Sequence, residues 1–160
     1  MGNKGVYTYE YERPAMSCDC VLLSKEASEY QVLLIQRGKE PYKNYWAFPG
    51  GFLEMNETLE QCAKRELQEE TGIVVSEISF VCMVDKIDRD PRGRVISGIY
   101  TAMIDKNSVI AKADDDAKAL KWFNISELPN LAFDHEALIL KVFRFWNISV
   151  RFLKIKNSIK

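Results

Sequence analysis

The stretch from Pro49 to Gly72 constrains this chain more than any other. Pro49-Gly50-Gly51 rules out regular structure and marks a shaped loop. Thr58, with Gln61 three residues on, forms a capping box that starts a helix sharply, and Gly72 supplies a left-handed stop. One helix is predicted over Leu59 to Thr71, with Leu59, Cys62, Ala63 and Leu67 pinning one face to a core. The other face gathers Glu66, Glu69 and Glu70 within one turn, with Arg65 among them. Like charges at this spacing destabilise a bare helix by a few tenths of a kcal/mol per pair. A solvated acidic face is the plain reading, yet the glycine-rich loop before the helix and the arginine inside the cluster favour a site. Hard divalent cations take such oxygens, and Mg²⁺ keeps waters and substrate phosphate oxygens besides.

Strands are predicted around this unit: Ala15 to Ser24 as a central strand, Tyr30 to Gln36 next, then Glu77 to Lys86 and Arg94 to Ile104 as a long hairpin across the turn Asp88-Arg89-Asp90-Pro91-Arg92-Gly93. Lys118 to Phe123 reads as a further short strand and Ser126 to Leu128 as a helical turn. Asp134 is placed to cap a second helix running to about Trp146. Strands before, between and after helices, without a βαβ rhythm, indicate an α+β or mixed-sheet sandwich. No repeat or linker divides the 160 residues, so one domain is expected, with a basic, aromatic extension over about 147–160.

Composition removes several classes of function. Twenty-two Lys and Arg against 23 Asp and Glu leave no basic field for nucleic acid. No apolar run reaches the roughly 18 residues of a membrane helix, and the start lacks a signal core, so a soluble, cytoplasmic protein is expected. Cys18, Cys20, Cys62 and Cys82 lack paired CxxC spacing and read as reduced, buried thiols.

Gly51, five residues, Glu57, seven residues, then Arg65-Glu66-Leu67-Gln68-Glu69-Glu70-Thr71-Gly72-Ile73 resembles the full 23-residue signature of the Nudix hydrolases. The resemblance implies an α/β/α sandwich whose signature forms loop, helix and loop, and hydrolysis of a diphosphate bond in a nucleoside diphosphate linked to another moiety. It implies that Glu66, Glu69 and Glu70 hold Mg²⁺ or Mn²⁺ with the Gly50 carbonyl, and that Arg65 pairs with Glu57 to fix the loop on the helix. Glu69 is the first candidate for the base that takes the attacking water's proton, with the run Asp114 to Asp116 a second source.

Gln36-Arg37-Gly38-Lys39, Trp46-Ala47-Phe48-Pro49, the Asp88 to Arg94 turn and Leu131-Ala132-Phe133-Asp134-His135 are similar to the ADP-ribose pyrophosphatase branch, whose members are commonly homodimers. Such a substrate needs guanidinium groups and an aromatic platform. Arg37, Arg89 and Arg92 are candidates for the first, and Tyr45, Trp46 or Phe133 for the second. His135 reads as a hydrogen-bonding group at a helix start. Two other readings stay open: a MutT-type triphosphate pyrophosphohydrolase, and a non-catalytic ADP-ribose or sugar sensor. The intact signature speaks against the sensor, as does the short stretch after Trp146, which leaves no space for a DNA-binding domain. Lys141 to Lys160, basic and aromatic, reads as a helix face plus an edge strand Ile148 to Phe152 packing on the domain or a dimer partner.

Overall fold

The computed structural model describes residues 8–110 and 117–149. Its centre is β1 (Ala15–Glu26), whose Val21, Leu22 and Leu23 are fully buried because both faces of the strand are covered. Alternation sorts its side chains: Cys18, Cys20 and Leu22 join one apolar cluster, while Val21 and Leu23 join another on the opposite face. β2 (Glu29–Arg37) pairs antiparallel with the far end of β1, from Leu23↔Val32 to Glu26↔Glu29. β3 (Trp46–Ala47) lies against β2, and β4 (Gly50–Phe52) takes over as partner of β1 where β2 has diverged.

Helix α1 (Leu59–Thr71) has the predicted bounds. Thr58 Oγ1 accepts from Gln61 N, Thr58 N donates to Gln61 Oε1, and Gly72 sits at φ 71°. The predicted hairpin is present as β5 (Ser79–Val84) and β6 (Val95–Ile104), and β6 runs parallel to β1 from Ala15↔Val95 to Ser24↔Ile104. β7 (Ala117–Asn124) pairs with β2, and α2 (His135–Phe145) follows. The core strand order is β3-β2-β1-β6-β5, so the sheet is mixed. Cys62, Ala63 and Leu67 of α1 cover one face, and Leu138, Ile139, Val142 and Phe143 of α2 cover the other. The expected α+β architecture, an α/β/α sandwich with a mixed sheet, is the one found.

Three local expectations are corrected. Residues 125–127 form a turn, not a helical segment, because the Asn124 side chain accepts from Ser126 N and the Asn124 carbonyl accepts from Glu127 N. Asp134 stands at the N-cap of α2 but its carboxylate caps nothing, being held by Arg89. Ile148 and Ser149 are not in a strand: Ile148 is buried against α2 and its amide donates to Phe143 O. The rest of that expected strand, and Asp114 to Asp116, lie outside the described residues. No helix among the described residues is long and apolar enough to cross a membrane. All four cysteines are free thiols.

Candidate active site

The site forms where β4 meets β1, with Cys18 opposite Gly51 and Asp19 opposite Gly50. Both glycines are needed for close approach. A Cβ on Gly50 would stand 2.6 Å from Asp19 Oδ1, and one on Gly51 would overlap the Glu66 carboxylate. The helix therefore lays its acidic face directly on the loop.

On the α1 side, Arg65 organises the cluster. Its Nε and Nη2 fork onto Glu57 at 2.9 and 2.6 Å, Nη1 donates to Glu66 Oε1 at 2.7 Å and Glu69 Oε2 at 3.0 Å, and Nη2 reaches Phe52 O at 3.2 Å. The fork holds the Glu57 carboxyl down at about 2, and Glu54 N donates to the same group. Glu70 Oε2 accepts from Gly50 N at 2.9 Å. Burial, helped by the charges of Glu66 and Asp19, pushes its carboxyl up to about 8, and burial raises Glu66 as well. Glu69 is the exposed member, with 59% of its side chain open to solvent.

These are hard oxygen donors, and a divalent cation would relieve the cost of crowding their charges. Among the described residues no group of three or more metal-ligating side chains is already gathered to hold an ion. Arg65 engages one oxygen each of Glu66 and Glu69, and the Gly50 amide one oxygen of Glu70, so each carboxylate keeps a second oxygen for a cation. The donor chemistry fits the group; the side chains as they stand are in their mutually paired arrangement.

A cleft of about 460 Å³, counting its open mouth, adjoins this cluster on the α2 side of the sheet. Arg37, Arg89, Arg92 and Phe133 all line it. Phe133 is held at φ 52°, in a region uncommon for a bulky side chain. The Arg37 guanidinium lies 4.9 Å from its ring centre and that of Arg92 5.6 Å, with Arg92 also 4.8 Å from the Phe52 ring. Arg92 forks onto Asp90 through Nε and Nη2 yet stays exposed, whereas Arg89 is placed deeper. It is buried, its Nε and Nη2 fork onto Asp134 at 3.0 and 2.8 Å, and Nη1 donates to Ser97 Oγ. The other two aromatic candidates are elsewhere: Trp46 packs edge-on to Phe123 at 4.6 Å, and Tyr45 is exposed beside Tyr42.

Sequence reasoning missed Asp19 and Phe52. Asp19 lines the cleft, buried and 3.8 Å from His135 Nε2. Burial pushes its carboxyl up to about 7. A lone acid inside the apolar strand Ala15 to Ser24 was the available signal. His135 is the expected hydrogen-bonding group: its ring stacks on Phe48 at 4.5 Å, its Nδ1 accepts from Phe48 N at 3.1 Å, and burial pushes it down to about 3. Since Nδ1 accepts, the single proton of this neutral ring is on Nε2.

The sequence pattern of the NUDIX domain matches residues 14–143. The chain belongs to the Nudix hydrolase family, whose members generally use divalent metals. It is 39% identical over 137 residues to an ADP-ribose pyrophosphatase of Methanocaldococcus jannaschii, spanning 86% of this chain and 78% of that one. It is 33% identical to the ADPR responsive transcriptional repressor NtrR of Acinetobacter baylyi, over 94% of this chain and 61% of the repressor. In structure it is similar to the NUDIX domain of Shewanella oneidensis NrtR complexed with ADP ribose. That likeness has a TM-score of 0.77 at 30% identity, covering 85% of this chain and 90% of that one.

Proposed function

We propose that this chain, acting as one Nudix domain, hydrolyses ADP-ribose to AMP and ribose 5-phosphate with Mg²⁺ or Mn²⁺. The observation that carries the reading is the intact Glu66, Glu69 and Glu70 set, laid by Arg65 and Glu57 against Gly50-Gly51. The similarity to an archaeal ADP-ribose pyrophosphatase and to an ADP-ribose-bound Nudix domain supports the choice of substrate.

Glu66, Glu69, Glu70 and the Gly50 carbonyl would hold the metal, which when bound supplies phosphate charge neutralisation and a more acidic water. Arg65 and Glu57 keep loop and helix at a fixed angle. Glu69, the solvent-open carboxylate, accepts the proton of the water that attacks phosphorus in line. Arg37 and Arg92 meet the diphosphate charge, and the Phe133 face receives the base. Arg89, buried and tied to Asp134 and Ser97, holds the turn, whereas Arg92, paired with Asp90, stays exposed where a phosphate can reach it. Tyr45 and Trp46 are left to packing or to an interface of a homodimer, which is part of this proposal together with a cytoplasmic setting.

Incubation of the pure protein with ADP-ribose and Mg²⁺ should release AMP. No release, while a nucleoside triphosphate is rapidly cleaved, would favour the MutT-type alternative. The similarity to an ADP-ribose-responsive repressor favours a second reading, binding of ADP-ribose without turnover; tight binding with no hydrolysis under any divalent metal would establish that one instead.

A further inference from the structure

The cleft has a floor on the α2 side of the sheet that the proposed hydrolysis leaves without a task. Asp19 stands in it, with 9% of its surface exposed. Among the described residues no protein group donates a hydrogen bond to its carboxylate, and His135 Nε2 at 3.8 Å from Oδ1 is beyond hydrogen-bond reach. Every fully enclosed side-chain polar atom among the described residues has a partner, so the Asp19 oxygens open onto the cleft. A carboxylate open to the cleft is met there by water, so a ligand that displaces this water must supply a donor in its place. Beside it the His135 tautomer, set by the Phe48 amide on Nδ1, directs an Nε2–H to the same place.

We infer that Asp19 is a specificity-determining residue: its carboxylate accepts a hydrogen bond from a neutral donor on the bound nucleotide derivative, with the His135 Nε2–H beside it to meet an adjacent acceptor. A cation is the weaker occupant. Alternation along β1 turns Asp19 away from α1, to the side opposite Cys18 and Cys20, so it does not share a face with the glutamates. Arg37 and Arg89 line the same cleft and would repel an ion there. Two parts of an ADP-ribose-like ligand carry a donor beside an acceptor: a ribose hydroxyl pair, and the amino edge of adenine. The inference rests on the ADP-ribose reading and deepens it.

The test is equilibrium binding by calorimetry in EDTA, without turnover, comparing wild type and Asp19→Asn for ADP-ribose and its inosine counterpart. Asp19→Asn should weaken ADP-ribose binding by about fivefold to tenfold, because its amide oxygen still accepts but without the charge, while its amide group can turn to suit a donor or an acceptor on the base. If the amino edge is read, wild type prefers ADP-ribose to the inosine compound and the variant loses that preference. If the ribose is read, both ligands bind alike and both weaken together. Unchanged affinity overturns the inference; so does weakening seen only with Mn²⁺ present and matched by weaker Mn²⁺ binding.

Should Asp19→Asn not fold, wild type alone decides. Either the inosine compound or an analogue with its ribose hydroxyls replaced by hydrogen must bind about tenfold more weakly, and equal binding of both overturns the inference. If wild type neither binds nor hydrolyses ADP-ribose, the substrate reading fails and takes this one with it. If wild type does both and the variant binds as tightly, only this inference falls.

Discussion

His135 is buried as a neutral ring, and that burial must register in how stability depends on pH. Its pKa falls from 6.5 to about 3, so between those values the unfolded chain takes up a proton that the folded one refuses. The contribution is complete above pH 6.5 and is lost as pH falls towards 3, at up to about 1.4 kcal/mol per pH unit. Asp19 works in the opposite sense. Burial raises it from 3.8 to about 7, so its contribution is present below 3.8 and lost as pH rises through 7. The two slopes oppose each other over the shared range, and the wild-type curve alone would hide both. His135→Gln separates them, because a glutamine oxygen can still accept from Phe48 N while the ring stacked at 4.5 Å is lost. At about pH 7.5 the variant should be less stable by about 1–3 kcal/mol. Between pH 6.5 and about 5 that deficit should shrink by about 2 kcal/mol, read by urea denaturation followed through tryptophan fluorescence. A deficit that stays constant would refute the reasoning, since the ring would then titrate alike in both states; one that grows on acidification would mean an imidazolium held by the Asp19 carboxylate.

Glu70→Gln should lower ADP-ribose turnover on the order of a hundredfold or more without lowering the melting temperature. The amide oxygen can still accept from Gly50 N, and the cost of a buried charge is removed. Gly51→Ala should cost about a hundredfold in turnover with helix content unchanged by circular dichroism, because the added methyl displaces the Glu66 carboxylate; wild-type activity would exclude Glu66 from the reaction. Arg89→Met leaves Asp134 without its fork, and urea denaturation should show a loss of about 3 kcal/mol or more. In Arg65→Lys the Glu57 carboxyl, read by carbon NMR, should move from about 2 back towards 4.5. The stability this pairing contributes, present above 4.5 and lost as pH falls through 2, should then be reduced.

Local rules acting within a few residues carried most of what the sequence made legible. The α1 bounds follow from Thr58, Gln61 and Gly72, whose hydrogen bonds close on neighbours in the chain. Arg65 and Glu57 are eight apart and were paired through the family signature, which the fork at 2.9 and 2.6 Å matches. What escaped depends on contacts between distant segments. Arg89 sits in a turn, a place that suggests solvent, yet it is buried because Asp134, 45 residues later, and Ser97 come to meet it. The same contact explains the cap that failed: Asp134 has the right residue type at the right place, and a charged partner outcompeted the helix amides for its carboxylate. Trp46, in the short strand β3, and Phe133, just before α2, are both aromatic candidates. Only the fold separates them, sending one against Phe123 and the other to the cleft.

The alternation of β1 then explains why the site has two chemical characters. Even-numbered positions Cys18, Cys20 and Leu22 face α1, and odd-numbered positions face α2, so a central strand becomes a partition between the acidic helix and the cleft. The partition is thinnest at β4, where Gly50 and Gly51 present no side chain to either flank. At Gly50 the amide holds Glu70, on the α1 side, while the place a Cβ would take is filled by Asp19 opposite it. A ligand lying in the cleft with its diphosphate over these glycines would meet the α1 carboxylate set at one end and the Asp19 and His135 floor at the other. Glycine at position 50 therefore serves both sides at once: a Cβ there would collide with the Cys18 carbonyl and with Asp19, so any substitution that spared the glutamates would still close the floor.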